Sequence, residues 1–470
     1  MTKPVMKWDT LLNTSRLKDK PPKTEDGRTP FNSDHDKIIF SGAFRRLAKK
    51  TQVHPLATND HVHNRLTHSL EVSCVGRTLG IRVGQKLSQN SQLPDSIAPS
   101  DIGDIVEAIC LAHDIGNPPF GHSGEEAIRA WFKGKGEIFI KSLDPQHKGD
   151  LENYEGNAQG FRILTTCEGY QYEHGMRLTY ATLASFIKYP WTSLDSLTKK
   201  EFTKEGKFGI FNSESSIYHD VALKTGLLKL DSNIYARHPL VYLMEAADDF
   251  CYTIIDLEDG ISMGILSWSE VYNIIEPALD KADIEEFEKS FATLSNGRKM
   301  SILRGLIIQK FVDAGAKAFI DNQHDFLNGD IFKSKKDLIS LCSPEVKDAV
   351  NAAKDLAKSK LFKHPRKIEL EIGAYNTLAT LLENIIEAIV EYIDNAGEDK
   401  NISSKSKRIL DLVGRDTFSP EVRTYIKAEN KDKNIATYHG IMRGLDFICG
   451  MTDHYANYLA QQFNGMGIFR

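Results

Sequence analysis

Residues 100–128 read SDIGDIVEAICLAHDIGNPPFGHSGEEAI, and this stretch sets the fold class. Ile102, Ile105, Val106, Ile109 and Ala112 recur at helical spacing, so the first half is a helix destined for burial, with Ser100 the expected N-cap. Gly116, Pro118 and Pro119 cannot continue it. His113 and Asp114 therefore fall on its C-terminal turn, where polar side chains can leave the apolar surround. Beyond the prolines, SGEE from Ser123 to Glu126 has the spacing of a capping box, which starts a further helix and sets His122 and Glu125 three residues apart near its beginning. A carboxylate so placed is expected to hold the imidazole in one tautomer.

Upstream lies HNRLTHS, residues 63–69, after which Val72, Val75, Leu79 and Val83 form one apolar stripe. A helix beginning after His68 and packed on the first would bring His68 beside His113 and Asp114. Imidazole and carboxylate together suit Mn²⁺, Fe²⁺, Co²⁺, Ni²⁺ or Zn²⁺, and Mg²⁺ where substrate phosphates complete the shell. A further carboxylate comes from residues 242–260, YLMEAADDFCYTIIDLEDG. Leu240, Leu243, Met244, Ala247, Cys251 and Ile254 make the buried stripe. Asp248, Tyr252 and Asp256, at i, i+4 and i+8, share another face, next to Glu245 and Asp259. Like charges stacked this way repel unless a cation or a substrate hydroxyl lies between them.

The remaining chain reads as helix with insertions. Residues 1–35, with PPKTEDGRTP, are expected to form an irregular arm. Residues 36–265 read as the catalytic core, interrupted at about 130–240 by a segment rich in turn formers, with short strands expected at GEIFIKSL and KFGIFNS. Residues 266–470 return to amphipathic helices that would complete the pocket and carry oligomer contacts. The class is all-α with small β insertions.

Of the 470 residues 41% are hydrophobic, enough for a large core, and no apolar run reaches bilayer length. The start MTKPVMKWDTLLN lacks a signal-peptide core, and six scattered cysteines without a CxxC point to reduced thiols, so a cytoplasmic enzyme without membrane contact is expected. A net charge of −5 gives no general attraction to polyanions. Two basic clusters, KHPRK at 363–367 and KNISSKSKR at 400–408, read first as solvated loops.

Six segments in order, DKIIFSGAFRRLAKKTQV, HNRLTHSLEVSCVGRTLG, LAHDIGNPPFGHSGEEAI, NYEGNAQGFRIL, YLMEAADDFCYTIIDLEDG and GLDFICGMTDHYA, span roughly residues 36–460. Together they resemble the deoxyguanosinetriphosphate triphosphohydrolases of the HD-domain phosphohydrolase superfamily, which cleave deoxynucleoside triphosphates to deoxynucleoside and inorganic triphosphate. The resemblance implies a mainly helical HD-domain fold. It implies that His68, His113, Asp114 and Asp248 bind a divalent ion, Mn²⁺ or Mg²⁺ foremost, with Asp249 the neighbour that a one-residue shift would choose. It makes His122 and Glu125 the catalytic pair. Gln52, Tyr252 and Asp256 would surround the deoxyribose and Val53 would touch the base. Arg65, with Lys188 and Tyr189 of FIKYPW and Lys207 of GKFGIF, would hold phosphates, and Phe362 and Glu371 of LFKHPRKIELEIGAY would lie near the base.

The same resemblance implies dGTP as the first substrate, with other deoxynucleoside triphosphates open, and a homo-oligomer (tetramer or hexamer); a nucleotide or single-stranded nucleic acid effector is the alternative reading of the two basic clusters. Two other readings use the same metal site. A 5′-nucleotidase or phosphodiesterase of the superfamily would lack the sugar helix and the distant phosphate contacts. A non-catalytic nucleotide sensor would show a damaged motif, whereas every motif residue is present here.

Overall fold

The computed structural model describes residues 4–17, 27–52, 63–169, 175–204, 206–363, 365–427 and 432–467. Val53, the expected base contact, lies outside them. Eleven helices carry the argument: α1 Pro30–Ile39, α2 Arg65–Gln89, α3 Pro99–Ala112, α4 Gly121–Lys133, α5 Gly156–Arg162, α6 Val241–Ser262, α7 Asn296–Asp321, α8 Pro344–Leu356, α9 Pro365–Asp394, α10 Lys433–Cys449 and α11 Asp453–Phe463. The all-α reading holds.

The expected short strands do not form. Pairing among the described residues is confined to isolated bridges such as Thr192 with Ile210. GEIFIKSL holds a short helix, Glu137–Ile140, because Phe139 stacks on Trp131 at 6.1 Å and Ile140 is buried, which a helical turn satisfies without a partner strand. KFGIFNS runs through the bridge at Ile210 into a 3₁₀ turn, Asn212–Glu214.

The central contact is α2 on α3, and it is unusually close. A Cβ on Gly80 would lie 2.9 Å from the Gly103 Cα, and one on Gly84 2.4 Å from the Pro99 carbonyl oxygen. Gly76, Gly80 and Gly84, at i, i+4 and i+8, thus let the backbones meet where the sequence reading had seen only the stripe of Val72, Val75, Leu79 and Val83. Helices α6 and α7 pack on α2, and α8 packs on α6. Together with α1 these form one hydrophobic core, which also takes Met6, Trp8, Leu11, Leu12 and Leu17. Residues 4–17 are therefore a packed edge of that core, while residues 18–26 of the expected arm, with PPKTED, lie outside the described residues. A second core joins α4 and much of the inserted segment to α9, α10 and α11. No helix among the described residues is long and apolar enough to cross a membrane.

Helix starts differ from expectation in three places. α2 begins at Arg65, because the Asn64 side chain accepts from the Leu66 and Thr67 amides and Thr67 Oγ1 accepts in return from the Asn64 amide. α3 begins at Pro99, whose fixed φ suits a first position, and Asp101 rather than Ser100 supplies the reciprocal bond, to the Ala98 amide. α4 begins at Gly121, two residues before the predicted capping box.

Candidate active site

The candidate site lies at the seam between the two cores. From the first come His68 on the opening turn of α2, His113 as the residue that ends α3, and Asp248 on α6. His68 Nε2 stands 3.0 Å from Asp248 Oδ1, and His113 Nε2 stands 3.6 Å from the same oxygen. One donor atom from each of the three lies within 4.8 Å of the other two. Bonds of about 2.0–2.2 Å from imidazole nitrogen and carboxylate oxygen to a divalent ion span such a separation. His113 Nδ1 donates to the Cys110 carbonyl at 2.7 Å, which leaves Nε2 as the lone-pair atom facing the cluster. The donor set fits a divalent metal.

Asp114 is next to this trio but committed differently. Its Oδ2 lies 3.7 Å from His113 Nε2 and pairs with Arg65 Nη1 at 2.6 Å, while Oδ1 accepts from Asn117 Nδ2 at 2.5 Å. Burial would raise this carboxyl, but Arg65, then His113 and His68, bring it down to about 2. Asp248 is likewise held below the usual carboxylate range: burial opposes, while His113 and His68 prevail. Asp249 turns aside to Lys354 of α8, at 2.8 Å, so of the two neighbouring aspartates Asp248 is the one on the cluster.

Tyr252 and Asp256 continue the Asp248 face along α6. The Tyr252 hydroxyl lies against the Asp256 carboxylate, and the Tyr252 ring is 6.2 Å from Phe362. Asp256 is buried with Oδ2 lacking any partner, and burial, with the nearby Asp259 and Asp248, pushes its carboxyl up to about 7. Gln52 Oε1 is a second buried acceptor without a partner. Gln52 follows Thr51, which bridges to Asn64, and so it sits at the N-terminus of α2. Glu371 pairs with Lys367, whose ammonium stands 4.2 Å over the Phe362 ring.

From the second core comes α4. Phe120, before it, takes the left-handed conformation at φ +64°, costly for a bulky residue, and Gly121 follows at φ +58°. A Cβ on Gly121 would stand 2.5 Å from Arg65 Nη2, so glycine lets Arg65 reach the seam. His122 is reached by solvent, and burial, then Arg65 and Lys207, hold its imidazole below the ordinary value. The expected hydrogen bond from Glu125 to His122 is not made. Glu125 is buried, accepts from the Gly156 amide at 2.8 Å and pairs with Arg129 at 2.9 Å, because the turn at Gly116 seats α5 directly against it.

The expected phosphate cations reach the seam from several directions. Arg65 is buried and its Nε lacks a partner. Lys207 pairs with Glu155 at 2.9 Å and stands 3.9 Å from Glu125. Lys188 pairs with Glu245 at 3.2 Å, one turn before Asp248. Tyr189 is different: its ring is buried with the Arg237 guanidinium 5.6 Å over it.

Three residues were not anticipated. Lys50, buried, donates to the Asn117 and Cys449 carbonyls, both at 2.6 Å. Asn117 fixes Asp114. Asp453, the first residue of α11, accepts from the Phe120 amide at 2.9 Å and, through its other oxygen, from the Thr51 amide at 2.9 Å. The only sequence signal for Asp453 was its place in the segment GLDFICGMTDHYA.

A family model of the HD domain matches residues 65–180, a span that holds Arg65, His68, His113, Asp114, His122 and Glu125. Over 463 residues the chain is 45% identical to a deoxyguanosinetriphosphate triphosphohydrolase-like protein of Pseudomonas aeruginosa, covering 98% of this chain and 99% of the relative. The chain belongs to the deoxyguanosinetriphosphate triphosphohydrolase family. A relative named in the same words from Synechocystis is 37% identical over 98% of this chain and 100% of its own length. A deoxyguanosinetriphosphate triphosphohydrolase of Klebsiella pneumoniae is 30% identical over 95% of this chain and 96% of its own. The likeness thus extends over nearly the whole chain and not the HD domain alone.

Proposed function

We propose that this protein hydrolyses deoxynucleoside triphosphates, dGTP foremost, to a deoxynucleoside and inorganic triphosphate, with a divalent ion held by His68, His113, Asp248 and Asp114. The observation that carries the reading is one face of α6. Asp248 meets the two histidines there, and a turn or two further on Tyr252 and the unpartnered Oδ2 of Asp256 offer a ring and an acceptor to a sugar.

Once bound, the ion would polarise a phosphate oxygen and lower the pKa of a water beside it. Two imidazoles in the set favour Mn²⁺ over Mg²⁺, which prefers oxygen ligands. His122, neutral at pH 7, takes or delivers a proton at the reacting phosphate, a contribution of typically ~10²–10⁴-fold. Glu125 acts by holding α4 to α5 and by anchoring Lys207. Arg65, Lys207 and Lys188 neutralise the phosphate chain, so that it leaves as one piece. Tyr252 packs under the sugar where a 2′-hydroxyl would clash, while Gln52 and Asp256 satisfy the 3′-hydroxyl; a buried hydroxyl left without a partner costs roughly 1–3 kcal/mol. Phe362 and Glu371 border the base. Exposed Ile368 and Ile372 on α9 support a homo-oligomer.

Incubation with each of the four deoxynucleoside triphosphates and GTP, under Mn²⁺ or Mg²⁺, tests this by identification of the phosphate product. Triphosphate from dGTP, at least about tenfold faster in kcat/KM than from GTP, is expected, since ~1.4 kcal/mol suffices. Release of the γ-phosphate alone, or equal use of GTP and dGTP, would overturn it.

A further inference from the structure

Glu245, the partner of Lys188, also lines a recess of about 500 Å³. Its floor is aromatic. The Trp191 and Phe332 rings are tilted with centroids 6.1 Å apart, and Tyr189, Phe202 and Tyr242 complete the wall. Its rim is cationic, and the cations come from three separate parts of the chain. Lys200 and Lys204 follow the short helix Ser193–Thr198, Lys335 and Lys336 follow the helical turn Asp330–Lys333, and Arg237 precedes α6.

The two acids of the lining are already bonded. Glu245 lies between Lys188 and Arg237, and Asp337 accepts from the Ser340 amide. By contrast, Lys204 and Lys336 make no side-chain hydrogen bond or ion pair with another described residue, and the buried Nε of Arg237 has no partner. Arg237 offsets Glu245, the amide on Asp337 cancels no charge, and Lys335 donates to the Lys200 and Thr203 carbonyls, so five cations against two acids leave the lining net positive, a potential that one carboxylate would not balance. The volume suits a small molecule rather than a protein segment.

We infer that this recess binds a short phosphate chain, at a site that adjoins the catalytic seam through Tyr189 and Glu245 and has its own cations in Lys204 and Lys336. Two occupants share that chemistry: free inorganic triphosphate and the phosphate tail of a nucleotide. Choosing triphosphate as the natural occupant rests on the reaction proposed above; the existence of an oligophosphate site does not. Glu245 links the recess to the seam, because it bonds Arg237 on one side and Lys188 on the other, one turn from Asp248.

The test is calorimetric titration of the metal-loaded protein with sodium triphosphate at low and high salt, beside the double substitution Lys204→Ser, Lys336→Ser. A control, Lys405→Ser with Lys407→Ser, removes the same charge from another surface. The expected result is an affinity at least tenfold weaker in the recess variant and unchanged in the control, falling with salt because the mouth is exposed, while kcat and KM for dGTP stay within twofold. Unchanged triphosphate binding in the recess variant overturns the proposal. So does a parallel rise in KM, which would make the recess part of the substrate site. An uncleavable dGTP analogue separates the two sources. If its affinity falls in step with that of triphosphate, the occupant is a nucleotide tail; if it holds, the occupant is free triphosphate. Should the protein cleave no deoxynucleotide at all, lysine-dependent triphosphate binding would still stand, and only the proposed reaction would fall.

Discussion

At the residue scale the two adjacent aspartates of α6 make the sharpest contrast. Asp248 faces His68 and His113, whereas Asp249 faces Lys354. Asp248→Asn should lower kcat by more than about a hundredfold, since losing even an outer partner of a metal ligand typically costs ~10–100-fold. It should also weaken Mn²⁺ binding, read by calorimetry. Asp249→Asn should leave kcat within a fewfold; equal losses in the two variants would place the metal elsewhere. A second residue ties pH to stability. His238 is fully buried, its Nε2 donates to the Leu11 carbonyl and its Nδ1 accepts from the Leu240 amide, so only the neutral ring fits. Burial, opposed by the Leu11 bond, lowers its pKa to about 4. A depressed histidine contributes stability that is complete above the unfolded value near 6.5 and is lost as pH falls toward 4, here about 3 kcal/mol. Urea titrations at pH 7.5 and 4.5 should show that loss in the wild type and a much smaller one in His238→Gln.

At the scale of elements, the α2–α3 contact depends on backbone proximity. Gly80→Ala puts a methyl against Gly103 and Ile102 backbone atoms, and overpacking of this kind costs typically ~1–3 kcal/mol, more than the helix propensity gained. Gly305 on α7 meets nothing, so Gly305→Ala should stabilise by up to ~1 kcal/mol. Melting curves of the pair should move in opposite directions. Because His68 and His113 sit on the helices that Gly80 lets meet, Gly80→Ala should also weaken metal binding. This contact also shows where sequence reading stopped. The metal-type residues were legible because helical periodicity fixes which face carries them: Asp248, Tyr252 and Asp256 stack as spacing predicts. The glycine stripe was not, because an absent side chain leaves no mark on a hydrophobic pattern. Helix starts shifted by two to four residues for a similar reason: several residues can cap, and tertiary contact chooses among them.

For the whole molecule the seam is the decisive feature. Its two sides belong to different cores, and what registers one against the other is a set of bonds between residues far apart in sequence. Lys50 reaches Cys449, and Asp453 reaches both Thr51 and Phe120. Such bonds carry no local periodicity, so neither they nor the commitment of Glu125 to Gly156 and Arg129 could be read from the chain. Asp453→Ala would leave the part-buried Phe120 and Thr51 amides without their acceptor, at up to about 1–3 kcal/mol each. It should lower the melting temperature and, by releasing the strained turn at Phe120, reduce kcat/KM for a deoxynucleotide through His122. Full activity in that variant would show that α4 is set by its own core.

That reach of Asp453 has a consequence in time. The chain leaves the ribosome from its N-terminus, and His68, His113 and Asp248 are all made long before residue 453. A nascent chain can therefore gather its metal-type cluster early, while the turn that presents His122 waits for α11. If the proposed roles hold, a copy that ends before α11 would keep the three metal-type residues yet lack the carboxylate that fixes the turn before His122.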